Sequence, residues 1–243
     1  SEYEVSVKSG KFIYKNLKDN LDWNIYEVCI SKEKKFVRYD NELYDLNYES
    51  FTFNINEKFI KPDAVFNIIH GDPGENGALA EILEKNKIPQ TACDVLVSKL
   101  TSNKKKYVEF VNSIGIPSSK QVLITKKNID NLSSLTSSIS FPCIVKPNKG
   151  GSSIGISKVY KSNEINEKIQ IAFKEDDEVL IESFLDGQEV SVGVIQKKNE
   201  RIILPVTEII SNNEFFDYNA KYLGESQEIT PGNISEKSRR KIH

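Results

Sequence analysis

Residues 146–155 read KPNKGGSSIG and separate two apolar runs, FPCIVKP before and IGISKVY after. Three glycines and two serines so close together do not sustain a helix, because glycine gives up too much backbone freedom there. The flanking runs are short and rich in β-branched residues, as strands are. The chain must therefore turn here as a hairpin. Gly150, Gly151 and Gly155 let the backbone bend until its N–H groups converge on anionic oxygens. Ser152 and Ser153 add hydroxyl donors, and Lys146 supplies positive charge at a strand end. The spacing is neither G-x-x-x-x-G-K-[ST] nor G-x-G-x-x-G, since the lysine precedes the glycines and a strand follows them. The segment reads as a phosphate-holding lid, although a plain flexible connector has the same composition.

The chain around it has 243 residues and a formal charge of −2. Two or three small domains, each with its own core, fit that length. With 38% hydrophobic and 28% charged residues the composition is that of an ordinary globular protein. Near-neutral charge gives no electrostatic case for nucleic acid or an anionic membrane. Cys29, Cys93 and Cys143 are odd in number and far apart, with no C-x-x-C, so a reducing compartment is expected rather than a disulfide framework or a zinc site. No apolar run reaches the roughly 18 residues of a membrane span. The sequence has no methionine, and a fragment of a longer gene is expected.

The first 90 residues read as an α/β layer. SEYEVSVKSGKFIYKNLKD carries Val5, Ser9, Phe12, Ile13 and Leu17 at helical spacing. NIYEVCIS and KKFVRYD look like strands, DAVFNIIH like a buried parallel strand, and ENGALAEILEKNK like a helix. An open parallel sheet is expected, lacking its first strand. From Ile88-Pro89 the pattern becomes α+β. NKKKYVEFVNSIGIP is a helix closed by Gly115 and Pro117. SKQVLIT, FPCIVKP and IGISKVY are strands, and SNEINEKIQIAFKED is a capped helix. EVLIESFL, QEVSVGVIQ and RIILPVTEII are three strands joined by DG and KKNE turns. The segment SNNEFFDYNAKYLGESQEITPGN is long, polar and aromatic without a period. The expected domains are 1–90, 91–180 and 181–243.

Three further positions carry chemistry. Glu182 sits inside a buried pattern where a lone carboxylate would be costly, and can accept from an exocyclic amine such as that of adenine. Glu189, seven residues on, can accept from ribose hydroxyls, or simply be an exposed strand residue. His70 ends a buried strand before the glycine-rich HGDPGENG, where open α/β sheets bind ligands.

HGDPGENGALAEILEKNKIPQT, NK at 103–104, FPCIVKPNKGGSSIGISKV, EVLIESFLDGQEVSVGVI and FFDYNAKYL occur in the order found in D-alanine–D-alanine ligases of the ATP-grasp superfamily, and the chain resembles that family over almost its whole length. The resemblance implies an ATP-grasp architecture: an N-terminal α/β domain, a central α+β domain bearing the glycine-rich lid, and an incomplete C-terminal domain. It implies ATP-dependent joining of two D-alanines through an acyl phosphate, for peptidoglycan precursors in a bacterial cytosol. Glu2 looks like the carboxylate that holds the first D-alanine's amine, with Ser152 and Tyr222 as its partners in a network that pins the lid. His70 looks like the residue near the first substrate's carboxylate. Lys104, Lys146 and Lys221 look like phosphate contacts, with Ser153 beside them on the lid. Glu182 and Glu189 match the adenine and ribose acceptors, and Phe184 and Leu185 the strand that faces the base. The resemblance also implies Mg2+ or Mn2+, and by analogy a homodimer. No metal ligands are expected in this chain, because the family's D…R-x-D…N-E-x-N-x-x-P-G region has no counterpart after PGNISEKSRRKIH, so this polypeptide alone is expected to be inactive. Phe216, Ser183 and TACDVLV depart from the family pattern and carry no assigned role. Two other readings compete: an ATP-binding module without catalysis, and a D-alanine–D-lactate ligase, which the presence of Tyr222 disfavours.

Overall fold

The structure is a computed structural model that describes residues 2–19, 22–211 and 226–242. The chain forms two compact units, residues 1–118 with 148–151 and residues 119–147 with 152–243.

The first unit opens with α1 (Tyr3–Leu17). Val5, Ser9, Ile13 and Leu17 recur on its half-buried side, whereas Phe12, expected on the same stripe, is 68% exposed. One residue is about 100° of helix rotation, enough to carry Phe12 off the face that Ile13 holds. An antiparallel meander follows in the order β1 (Glu27–Ile30), β2 (Lys35–Tyr39), β3 (Glu42–Asn47), β4 (Thr52–Ile55), β5 (Lys58–Ile60). Its two-residue loops Asp40-Asn41 and Asn56-Glu57 have positive φ at both positions (48° and 65°, 48° and 66°). That is the turn whose twist matches antiparallel strands. Val37, Leu46, Phe51, Phe53 and Ile55 from the meander pack with Leu79 and Leu83 of α2 (Ala78–Lys85) and with Ile88 to make this unit's core.

The run 63–70, expected as a buried parallel strand, is an extended segment with a single parallel bridge, Val65 to Gln90. Side chains take the place of a ladder. Asn67 N donates to Thr91 Oγ1 at 3.1 Å, Ile69 N to Asn67 Oδ1 at 3.1 Å and His70 N to Ser6 Oγ at 3.0 Å. Each backbone donor is thereby satisfied without a neighbouring strand. Two short helices close the unit. In α3 (Val95–Thr101), Asp94 caps by accepting from Val97 N at 2.8 Å; in α4 (Lys104–Ser113), Asn103 accepts from Lys106 N at 3.0 Å. The start of α3, with its cap Asp94, falls in TACDVLV, the stretch left without an assignment above.

The second unit is built on a four-stranded antiparallel sheet in the order β6 (Gln121–Thr125), β9 (Glu178–Ser183), β7 (Cys143–Pro147), β8 (Ser157–Val159). Its register decides everything that follows. Gln121 pairs with Glu182, Glu182 with Ile144, and Ile144 with Lys158; Leu123 pairs with Leu180, and Leu180 with Lys146. Side chains alternate along each strand, so these residues share one face. The other face carries Ile124, Cys143, Val145, Val159, Val179 and Ile181, which pack against Leu132 and Leu135 of the one-turn α5 (Leu132–Leu135) and against Ile165, Ile169 and Ala172 of α6 (Ile165–Ala172).

The three strands expected after residue 178 are more finely divided. QEVSVGVIQ splits into β10 (Glu189–Ser191) and β11 (Val194–Lys197), and RIILPVTEII into β12 (Glu200–Ile203) and β13 (Thr207–Ser211). Pro205 has no N–H to extend a ladder. The KKNE turn makes the β11–β12 hairpin. The DG turn does not make a hairpin, because β10 leaves the first sheet and pairs with β13, which pairs in turn with β14 (Ser226–Ile229). A last helix, α6's only later counterpart among the described residues, is α7 (Glu236–Ile242). No helix among the described residues is long and apolar enough to cross a membrane.

Cys143 is fully buried in the second core, and burial pushes its thiol up from 9.0 to about 11. The unfolded thiol releases its proton first, so between pH 9 and about 11 the unfolded state binds fewer protons and is favoured. Stability is therefore expected to fall across that window, and Cys143→Ala to flatten part of the fall in urea-unfolding curves measured at each pH.

Candidate functional site

Sheet alternation places a lysine and a glutamate side by side on the face away from α6. Lys146 Nζ pairs with Glu182 Oε1, and the two side chains are only 17% and 15% exposed. Glu182 Oε2 accepts from Gln121 Nε2 at 2.9 Å and from Ser119 Oγ at 3.4 Å. Taking two charges out of water is expensive, and the cluster is tolerable because each carboxylate oxygen has a donor. Gln121 Oε1 is the exception: it is buried with no hydrogen-bond partner. An orphaned acceptor of this kind costs about 1–3 kcal/mol. Beside the cluster, Lys158 Nζ lies 3.9 Å from the centroid of the Phe184 ring, and Leu185 is exposed. Glu189 is exposed on β10, in a different sheet from Glu182.

The glycine loop joins β7 to β8, the hairpin that its sequence demands. Gly150, Ser152, Ser153 and Gly155 have φ of 91°, 51°, 58° and 73°. For two consecutive serines this backbone is strained by about 1–3 kcal/mol each, a cost that clusters at ligand clamps. Ser152 is buried. Residues 148–151 belong with α4 in the first unit. Asn148 O accepts from Lys104 N at 3.1 Å, Asn148 Oδ1 accepts from Lys105 N at 2.9 Å, and Lys104 Nζ donates to Gly150 O at 2.7 Å. Lys104 thus stands at the start of α4 and holds the first half of the loop.

Glu2 reaches the same half. Its carboxylate lies against Gly71 and Gly151, filling the space where either residue's Cβ would stand; at Gly151 that space is 2.7 Å from Glu2 Oε1. Any side chain at 71 or 151 would displace the carboxylate. His70, next to Gly71, is held from α1: its N–H goes to Ser6 Oγ, and its Nε2 is 3.3 Å from Ser9 Oγ. So Glu2, His70, Lys104 and Gly151 gather in the first unit, and Lys146, Glu182, Phe184, Ser152 and Ser153 lie in the second. Lys221 and Tyr222, as well as Phe216, lie outside the described residues.

The side chains present fit an adenine nucleotide. Within the second unit, Lys146 offers a cation to phosphate and Glu182 an acceptor to N–H groups. Among the described residues no group of three or more His, Cys, Asp or Glu side chains could hold a metal ion. Sequence reasoning missed Gln121 and Ser119. The signal was available for Gln121: with Val122 and Ile124 turned to the core, Gln121 must take the face of Glu182 once the strands pair. Ser119 lies outside any strand and gives no such signal.

Two family models match, one described as "D-ala D-ala ligase N-terminus" over residues 1–93 and one as "D-ala D-ala ligase C-terminus" over residues 110–243. Among curated relatives, a D-alanine–D-alanine ligase of Christiangramia forsetii is 48% identical over 243 residues, covering 100% of this chain and 74% of that protein. One of Flavobacterium johnsoniae is 43% identical, covering 100% and 75%. Among solved structures, the VanG D-Ala:D-Ser ligase of Enterococcus faecalis superposes with a TM-score of 0.83 at 30% identity, covering 100% of this chain and 76% of that one. D-alanyl-alanine synthetase A of Vibrio cholerae gives 0.84 at 26%, covering 100% and 74%.

Removing one partner of the Lys146–Glu182 pair strands the other charge. Lys146→Met alone is expected to destabilise the protein by about 3 kcal/mol, whereas Lys146→Met with Glu182→Leu recovers most of that loss. Urea midpoints of the two single variants and the double variant measure the coupling; a double-variant loss equal to the sum of the two single losses would show the pair to be energetically idle.

Proposed function

The chain belongs to the D-alanine–D-alanine ligase family, and from that premise we propose that its two residue clusters serve the ATP-dependent joining of two D-alanines into the dipeptide used for peptidoglycan precursors. The observation that carries the reading is the pair of glycines, 71 and 151, whose missing side chains make room for the Glu2 carboxylate. A carboxylate so held can pair with the ammonium group of an amino acid, and nucleotide binding alone gives no reason for it. This favours a ligase over an ATP-binding module that lacks catalysis.

ATP, when bound with its divalent cation, supplies the γ-phosphoryl group that turns the first D-alanine's carboxylate into an acyl phosphate. Glu2 fixes that alanine by its amine, and His70 attends its carboxylate. Lys104 and Lys146, with Lys221, compensate the phosphate charge, an electrostatic service that grows as negative charge builds in the transition state. Ser152 and Ser153 donate from the lid; the part of Tyr222, outside the described residues, is the one the resemblance implies. Glu182, Phe184 and Leu185 line the base, and Glu189 takes the ribose hydroxyls. The second D-alanine's amine then attacks the acyl carbon, the C–O bond to phosphate breaks, and the departing phosphate takes the bonding pair while the nitrogen gives up a proton. A lid closed over these groups keeps water from the acyl phosphate. The protein works in the cytoplasm, where both substrates are at hand, and as a homodimer.

ADP release by the protein carrying this sequence tests the reaction. D-alanine alone is expected to support release and to yield the dipeptide. Adding D-serine or D-lactate should leave the dipeptide as the main product; a mixed product in its place would reassign the second substrate. Glu2→Gln keeps the size of the side chain and removes its negative charge. It is expected to raise the KM for D-alanine by about tenfold or more while ATP affinity stays unchanged, because the interaction lost is one with the amino acid. Equal losses for both ligands would count against the role of Glu2.

A further inference from the structure

We infer that Ser9 is a positioning residue for His70: its hydroxyl donates to ring Nε2 and keeps the ring proton on Nδ1. His70 then meets the carboxylate of the first D-alanine as a neutral N–H donor; this rests on the ligase reading above. Ser9 stands on the half-buried side of α1 with Val5, Ile13 and Leu17, where the other three members of the stripe are apolar. A polar group in such a place needs a partner. The helix runs along the segment that ends in His70, since a Cβ at Gly10 would meet Ile68 Cγ2 at 3.8 Å. Ser9 Oγ lies 3.3 Å from His70 Nε2.

Ser6 and Ser9 are neighbours on one face of the helix and do different jobs. Ser6 Oγ donates to the Glu2 carbonyl at 2.9 Å and accepts from His70 N at 3.0 Å, so its proton is committed and it anchors the backbone. Ser9 makes no such bond back to its own helix; among the described residues Nε2 is its only polar partner. A hydroxyl whose one partner can accept gives that partner its proton. Nε2 then presents a lone pair, and the neutral ring holds its proton on Nδ1. In water the neutral ring prefers the opposite arrangement, so Ser9 imposes the choice. Nδ1 makes no hydrogen bond among the described residues. Gln121 Oε1 is the one unpartnered side-chain atom shut away from solvent among them, so Nδ1 is open to a ligand. A carboxylate only accepts and therefore matches an N–H there. With the proton on Nε2, ring and carboxylate would meet lone pair to lone pair.

The sequence has only two histidines, His70 and His243. Long-range proton–nitrogen NMR correlations of the rings therefore read the tautomer directly, with His243→Gln to tell the two apart. At about pH 8.5, where an ordinary imidazole is neutral, His70 of the wild-type chain is expected to carry its proton mainly on Nδ1. In Ser9→Ala, where Ser6 still anchors the backbone, the proton is expected to move mainly to Nε2. D-Alanine added to the wild type is expected to shift the Nδ1 resonance, and Ser9→Ala to bind D-alanine about three- to tenfold more weakly. A wild-type ring with its proton on Nε2, or on both nitrogens, would overturn the assignment, and that spectrum decides the matter even where the variant does not fold. So would a Ser9→Ala ring whose tautomer matches the wild type. An Nδ1–H ring whose resonances ignore D-alanine would instead bring down the substrate role of His70 in the ligase reading, and with it the use assigned to this proton.

Discussion

Lys146 and Glu182 neutralise each other on one face of a sheet whose other face is a dry hydrophobic core, and the second unit's chemistry follows from that arrangement. The strands β7 and β9 must satisfy both requirements at once. Cys143, Val145, Val179 and Ile181 point toward α6 and leave no accessible surface. Lys146, Leu180 and Glu182 point the other way. A slip of one residue would exchange the faces, burying the ion pair in the core and exposing the valines and isoleucines. The apolar face thus pins the register, and the register delivers the lysine to the carboxylate. Gln121 and Ser119 then complete the carboxylate's hydrogen bonding, so a charged group keeps a defined place at low exposure.

The first unit solves a different problem with small residues. A carboxylate at the very start of α1 has to approach two separate backbone segments, one before α2 and one in the glycine loop. Gly71 and Gly151 permit it because neither carries a Cβ. The segment leading to Gly71 is not held by a regular ladder. Its donors go to Thr91, Asn67 and Ser6, which ties His70 to α1 and fixes the distance between that histidine and Glu2. Lys104 and Asn148 do the same for the first half of the loop.

The loop combines both devices. Its ends are set by strand pairing, since Val145 faces Ser157 across the β7–β8 ladder. Its middle carries strained backbone at Ser152 and Ser153, which glycine would adopt with less cost. Serine at those positions trades conformational ease for hydroxyl donors, a trade that makes sense where oxyanions are to be held.

Sequence alone determined the elements with a strong period or a clear stop: α1, α2, α4, α6, and the strands β6 to β9. It also determined the hairpin nature of residues 146–155, because glycine and serine content excludes a helix whatever surrounds it. The ordered motifs identified Lys146 and Glu182 separately. Tertiary structure decided what local pattern could not express. The turns Asp40-Asn41 and Asn56-Glu57 lack glycine, so the β2–β3 and β4–β5 hairpins were hidden until the chain was seen to bend there. DAVFNIIH reads as a strand, but pairing is a property of neighbours, and its donors found side chains instead. The DG turn carries the chain between sheets because β10 found its partner in β13, which lies well downstream. That Gln121 stands beside Glu182, sixty-one residues away, depends on which strands become adjacent. Periodicity assigns a side chain to a face; only the packed sheet says what shares that face with it.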